Sequence, residues 1–309
     1  MNSQSFTCYP VFVAKFVPDI KTNRWVIIAP ARVRQPHDNV PTPEKANLCV
    51  FCPGNEAINP IELFRIGGNP ADPDWRIRVI PNKFPFTDFH EVIIHSPDHE
   101  KDIHDLPLDQ VELVLSTYRQ RYNFHTKENH GTVMIFHNHD IHAGASIKHS
   151  HTQLAVIPRQ INLDAIPREP VQNEVTRTKH FVAYCPDFSQ WPYEIWLTPN
   201  QFSVSSSQFS DFGHITDEQI SDLAPLLQKI LVFIHLKFAG EKALMKQPMD
   251  LADETGEVPY NFYIYHGQDW YLRIIPRLVH RAGFELGTGL SVNIVDPYKA
   301  AEEYRVGIF

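Results

Sequence analysis

The chain has 309 residues, 43% of them hydrophobic and 21% charged, which is enough apolar material for a packed core and argues against wholesale disorder. With 28 Lys and Arg against 36 Asp and Glu, the net charge of −8 excludes the basic footprint on which general nucleic-acid binding rests. A few local donors can still hold a phosphate. The longest apolar stretch, residues 226–238, is broken by Lys229 and Lys237, so no span for a membrane helix is expected. The chain opens without a basic segment followed by an apolar core, and its four cysteines do not make a disulfide scaffold, so a reducing cytoplasm is expected.

In chain order, residues 25–30 read as a short strand, followed by a Pro-rich basic loop holding Arg32 and Arg34. Residues 53–90 read as loops around short strands. A pattern of strand, helix, strand, strand then occurs twice. Its first copy takes residues 91–97, a helix opening at Asp105 or at Leu108-Asp109 and reaching about 121, then 132–138 and 154–159. The second takes residues 194–199, a helix from Thr216 to about 238 with Gln219 completing a capping box, then 261–267 and 272–277. The strands are short, rich in β-branched and aromatic residues, and several end at Pro. The expected fold is therefore α+β, with two similar halves of mainly antiparallel sheet and one packed helix each. The division is set at residues 1–165 and 166–309, joined near 160–179. His137, His139 and His142 read as polar loop residues, residues 250–257 as a solvated loop, and Cys8 and Cys185 as inert thiols. Trp191, Tyr193 and Trp270 read as core or dimer-contact aromatics.

The repeat lets each half act as a control for the other. Aligning Leu154 with Leu272 places His149-Ser150-His151-Thr152-Gln153 opposite Gly267-Gln268-Asp269-Trp270-Tyr271. The His-x-His pair is thus not a requirement of the unit, and chemistry is expected in the first half. On a strand, residues i and i+2 project to one face, so His149 and His151 act together. Gly144-Ala145-Ser146 upstream offers a small-residue turn whose N–H groups can approach a phosphate. Cys49-Val50-Phe51-Cys52 has the spacing with which two thiolates share a tetrahedral zinc. Two further ligands are needed, histidines are the candidates, and His99 and His149 are chosen.

Three motifs in order, Cys49-x-x-Cys52, His95-Ser-Pro-Asp-His99 and Gly144-Ala-Ser-x-x-His-x-His-x-Gln153, resemble those of the galactose-1-phosphate uridylyltransferase family, a branch of the histidine-triad superfamily built from two triad-like halves. The resemblance runs from Asn23 to Gly289. It implies a double displacement in which a His takes the nucleotidyl group from a nucleoside-diphosphate sugar, expels sugar 1-phosphate, and passes the group to a second acceptor. By position, it makes His151 the nucleophile and Gln153 the group that orients the transferred phosphoryl, with Ser146 and Asn138 alongside. It also places Arg32 and Asn82 near the nucleotide, makes Cys49, Cys52, His99 and His149 the ligands of one structural zinc per chain, and implies a homodimer. The expected partners are a nucleoside-diphosphate sugar and either a sugar 1-phosphate or phosphate.

Three departures from the family pattern bear on this. The Arg-x-x-Arg-Pro loop reads Arg32-Val-Arg34-Gln-Pro here. His266 stands without the partners of the second-half metal site of some members, so no second metal is expected. Where galactose enzymes carry a Tyr-Glu pair that reads the hexose, this chain has Thr288-Gly289, as in a sister group of ADP-glucose phosphorylases. The first reading is uridylyl transfer from UDP-glucose to a hexose 1-phosphate. The alternatives are adenylyl transfer to phosphate, a histidine-triad nucleotide hydrolase, and a non-catalytic zinc-stabilised binding protein.

Overall fold

Among the described residues, ten strands join edge to edge in a single antiparallel sheet, and the helices that cover it lie on one face. The computed structural model describes residues 14–19, 24–34, 49–69, 72–161, 163, 171–200, 211–239, 257–265, 267 and 269–308. The expectations for Cys8, His266 and most of the loop 250–257 fall outside the described residues.

The strands are β1 (Lys15–Asp19), β2 (Arg24–Ile28), β3 (Phe64–Ile66), β4 (Ile77–Pro81), β5 (His90–Ile94), β6 (Thr132–His139), β7 (His151–Ile157), β8 (Glu174–Arg177), β9 (Phe181–Tyr184), β10 (Ile195–Pro199), β11 (Tyr260–Ile264) and β12 (Leu272–Pro276). The helices are α1 (Leu108–Lys127), α2 (Asp217–Ala239), α3 (Gly283–Thr288) and α4 (Pro297–Ile308). β1 and β2 form a separate hairpin, and the large sheet runs β3-β4-β5-β7-β6-β11-β12-β10-β9-β8. From either edge inward the order is the same, with β4-β5-β7-β6 answered by β9-β10-β12-β11. The two sets meet where β6 pairs with β11, Asn138 opposite Asn261. The antiparallel sheets of the two halves thus run on as one continuous sheet, because this pairing satisfies the inner edge strand of each set.

Alternation along the strands sorts the two faces. Ile93, Val133, Ile135, Leu154, Val156, Ile195, Leu197, Phe262, Ile264, Leu272 and Ile274 belong to the core beneath α1 and α2. α1 contributes Val111, Val114, Leu115, Tyr118 and Tyr122, and α2 contributes Ile220, Leu223, Leu227, Ile230, Leu231 and Ile234, in each case an apolar stripe at helical spacing. The α2 cap is as expected: Gln219 N–H donates to Thr216 Oγ1 at 3.2 Å, and Thr216 N–H to Gln219 Oε1 at 2.9 Å. α1 opens at Leu108, one of the two expected starts, but differs from the expectation in its cap and its end. Its N-cap is Pro107, without a side-chain cap, and the helix continues to Lys127 because Tyr122 and His125 extend its buried stripe.

The strand equivalence of the repeat also needs a correction. Glu91 sits on the helix-covered face, paired with Arg121 and His125 of α1, whereas Glu194 lies on the opposite face with Trp196 and Arg273. His137 and His139 are not loop residues either; both belong to β6 and point under the helices, tied to Asp102. Among the described residues, no helix is long and apolar enough to cross a membrane.

Candidate functional site

The uncovered face of β4, β5 and β7 carries the first-half motifs. The turn at residues 49–52 lies on it, held by Cys52 N–H to Cys49 O at 3.2 Å, and packs Phe51 against Trp75, Ile80, Val92 and Ile94. The turn sits beside His99, which follows β5, and His149, which lies just before β7. Cys52 Sγ is 3.3 Å from His99 Nδ1, and His149 Nδ1 is 3.6 Å from both Cys49 Sγ and Cys52 Sγ. All four donor atoms lie within 4.8 Å of one another. Zinc–sulfur and zinc–nitrogen bonds of normal length at the tetrahedral angle separate S from N by about 3.6 Å, so these residues fit such an ion. His149 Nε2 donates to Ser96 O at 2.8 Å, which leaves Nδ1 as the lone-pair nitrogen that faces the sulfurs. Phe51 N–H points at Cys49 Sγ at 3.4 Å. Burial pushes the Cys49 thiol up to about 11, with Cys52 adding to the effect, so a cation is what would stabilise its thiolate. The cluster can therefore hold a metal ion.

His151 opens β7. Its Nδ1–H donates to His149 O at 2.8 Å, so the neutral ring carries its lone pair on Nε2. Burial depresses its pKa to about 4, and the His137 and His149 rings add in the same direction. At neutral pH the ring is therefore uncharged, with the Nε2 lone pair available. Phe51 packs edge-on against it, with centroids 5.3 Å apart. The residue lines a cleft of about 140 Å³ together with Phe51, Asn82, Phe84, Ser146, Ile147 and Gln153.

Two backbone groups fix the direction of Gln153. Phe84 N–H donates to Asn82 Oδ1 at 2.8 Å, so Asn82 Nδ2 is the end that faces Gln153 Oε1, at 3.3 Å. Phe86 N–H donates to His90 Nδ1 at 3.3 Å, so the His90 proton is on Nε2, which donates to Gln153 Oε1 at 2.9 Å. Burial drives His90 down to about 3, so it stays neutral. With Oε1 held from two sides, the Gln153 amide N–H₂ is the end left to face an acceptor. Sequence reading overlooked His90. Its signal lies in the pairing of β5 with β7, which sets Val92 opposite Gln153 and His90 two residues along the same face.

The other candidates are placed as follows. Ser146 lines the cleft. Asn138, on β6, accepts from Asn261 Nδ2 at 2.9 Å, and Asn261 also donates to Ala143 O at 2.7 Å, so β11 braces the turn before Ser146. Arg32 lies in a short 3₁₀ turn, Pro30–Arg34, donates to Phe84 O at 2.8 Å and stands over Phe86. It reaches the rim through the backbone of residue 84 and is absent from the lining. Behind His151, on the helix-covered face, His95 bonds Ser150 Oγ at 2.7 Å and Thr152 Oγ1 at 2.8 Å, and Asp102 accepts from Ser150. This buried network holds the two residues that flank His151, so its backbone is fixed from both sides.

Residues 89–158 match the family model described as "Galactose-1-phosphate uridyl transferase, N-terminal domain". The chain is 29% identical to an ADP-glucose phosphorylase of Arabidopsis thaliana, over 93% of this chain and 91% of that protein. It is 22% identical to a galactose-1-phosphate uridylyltransferase of Thermotoga maritima, over 92% of this chain and 95% of that one. Among solved structures, the A. thaliana ADP-glucose phosphorylase with bound ADP-glucose is similar at a TM-score of 0.67 and 26% identity, covering 95% of this chain and 99% of that one.

Proposed function

We propose, from the premise that the chain belongs to the galactose-1-phosphate uridylyltransferase family, that it transfers a nucleotidyl group from a nucleoside-diphosphate sugar by way of a covalent adduct on His151. The observation that carries this reading is the neutral, buried His151 with Nδ1 committed to His149 O, in the same cleft as the oriented amide of Gln153. His151 Nε2 attacks the α-phosphorus and the sugar 1-phosphate leaves, taking the electron pair of the P–O bond. The second acceptor then attacks the same phosphorus and releases the imidazole. One difficult displacement becomes two easier ones. Charge developing on the phosphoryl oxygens meets the Gln153 N–H₂ group and the N–H groups near Ser146. The cleft is smaller than the roughly 300 Å³ at which pockets for drug-sized ligands begin, so it would enclose the phosphates and leave base and sugar to outer surfaces.

The metal at Cys49, Cys52, His99 and His149 is read as one zinc with a structural role, since four protein ligands leave no open position. It would pin the residue two before the nucleophile. The division at 165/166 into a catalytic and a non-catalytic half is supported by the mirrored strand order. A homodimer fits residues 284–294, where Phe284, Leu286, Leu290, Val292 and Ile294 are all more than half exposed. A cytoplasmic setting fits a site that depends on reduced thiols.

The donor is read as UDP-glucose with a hexose 1-phosphate as acceptor. One observation favours the second reading, ADP-glucose with phosphate as acceptor. Thr288 Oγ1 donates to Phe284 O at 2.7 Å and accepts from Leu290 N–H at 3.2 Å, and Gly289 caps α3 with φ 75°. Neither offers a side chain to read hexose hydroxyls, on which strong sugar discrimination depends. Isotope exchange tests the mechanism. Labelled glucose 1-phosphate should enter UDP-glucose or ADP-glucose with no second acceptor present, and His151→Ala should abolish the exchange. Exchange that requires the second acceptor would refute the covalent route.

A further inference from the structure

On the helix-covered face, away from the cleft, three side chains from separate segments converge. His104 precedes α1, His235 lies on α2 and Glu257 leads into β11, and one ligand atom from each lies within 4.8 Å of the others. The His104 and His235 rings stack with centroids 4.8 Å apart, and Glu257 Oε2 stands 4.0 Å from His235 Nδ1. Among the described residues, His104 Nδ1 is buried without a hydrogen-bond partner, on a side chain only 7% exposed. Its other nitrogen, Nε2, lies 3.1 Å from the Asp105 carboxylate. A carboxylate beside one ring nitrogen favours the proton there and the lone pair on the other nitrogen, the orientation common to metal-bound imidazoles. A buried ring nitrogen with a lone pair and no donor in reach is otherwise unfavourable. Glu257 is steadied in turn by His139 Nε2 at 3.2 Å, and His139 is held by Asp102 through its other nitrogen.

We propose that His104, His235 and Glu257 form a second divalent-cation site, separate from the Cys-His cluster. Two imidazoles and one carboxylate suit zinc and its first-row neighbours, with water completing the shell. Access is open, because the His235 side chain is 32% exposed and that of Glu257 24%. The ion would clamp the segment before α1 to α2 and to the entry of β11, three segments drawn from both halves of the chain. Through Glu257, His139, Asp102 and Ser150 it would also stiffen the backbone next to His151.

The test uses the full chain, stripped of metal and dialysed to equilibrium against low-micromolar zinc, with metal counted per chain. The expected count is two for the parent and one for each of His235→Ala and Glu257→Gln. Cobalt-loaded His235→Ala should keep the thiolate-to-cobalt absorption, which places the loss outside the cysteine cluster. A single His235-dependent ion that survives Cys52→Ser would still support this site while removing the cysteine one. Counts unchanged in both His235→Ala and Glu257→Gln, or a loss that takes the thiolate band with it, would overturn the proposal.

Discussion

Replacing His90 by Phe keeps a ring of similar size and removes the donor that orients Gln153. In the parent, Gln153 Oε1 accepts from His90 Nε2 at 2.9 Å and from Asn82 Nδ2 at 3.3 Å, and the variant retains only the longer bond. One hydrogen bond has a net value of about 1 kcal/mol, so the amide would spend part of its time reversed, with its oxygen toward the phosphoryl group. That predicts a roughly three- to tenfold slower adduct formation, since 1.4 kcal/mol is about tenfold. Removing the amide altogether in Gln153→Ala should cost about 10²–10³, the usual loss for a transition-state donor. The assay is the single-turnover rate of nucleotidyl transfer to the protein, measured for both single variants and the double variant. Because His90 acts through Gln153, the double variant should be no slower than Gln153→Ala alone. A His90→Phe effect of equal size in both backgrounds would mean general damage to the cleft, and no effect at all would mean that the amide needs no such support. Either result refutes the reasoning.

Three further outcomes are expected. Cys52→Ser should lose one equivalent of metal and lower Tm by about 5–10 °C, because ligand loss removes folding energy; unchanged metal content and Tm would remove the site. Glu91 is buried, which opposes its charge, yet bonds from His125 and Arg121 bring its pKa down to about 2. Its contribution is therefore complete above about pH 4.5 and disappears as pH falls through 2, a span of about 3 kcal/mol. The difference in urea midpoint between the parent and Glu91→Gln should shrink between pH 5 and pH 2.5, and a constant difference would contradict the assignment. Deleting the apolar ridge with Phe284→Ser and Leu286→Ser should shift the sedimenting species from dimer to monomer; a parent that is already monomeric would dispose of the dimer reading.

The site was legible where chemistry is tied to short spacing. Two cysteines separated by two residues and two histidines separated by one each make a local statement, and the repeat showed that the second was not demanded by the fold. The role of His90 was hidden because it depends on register: only the pairing of Glu91 with Leu154 brings residue 90 onto the face of Gln153. His137 and His139 misled because polar residues directed at a core look like loop until their partner, Asp102, is found more than thirty residues upstream. The same applies to the glutamates at 91 and 194. They align by sequence, yet a one-residue difference in phase puts them on opposite faces of the sheet. Pairing of the two inner edge strands left no trace in either strand alone, since β6 and β11 read as ordinary alternating segments.

The central claim is a covalent nucleotidyl intermediate on His151, and the intact mass of the protein tests it most directly. The protein is mixed briefly with UDP-glucose, and separately with ADP-glucose, in the absence of acceptor. A mass increase of one uridylyl or one adenylyl group, present in the parent and lost in His151→Ala, is the predicted result, and which nucleotide adds decides between the two substrate readings. An increase that persists in His151→Ala, or none with either donor, would contradict the claim.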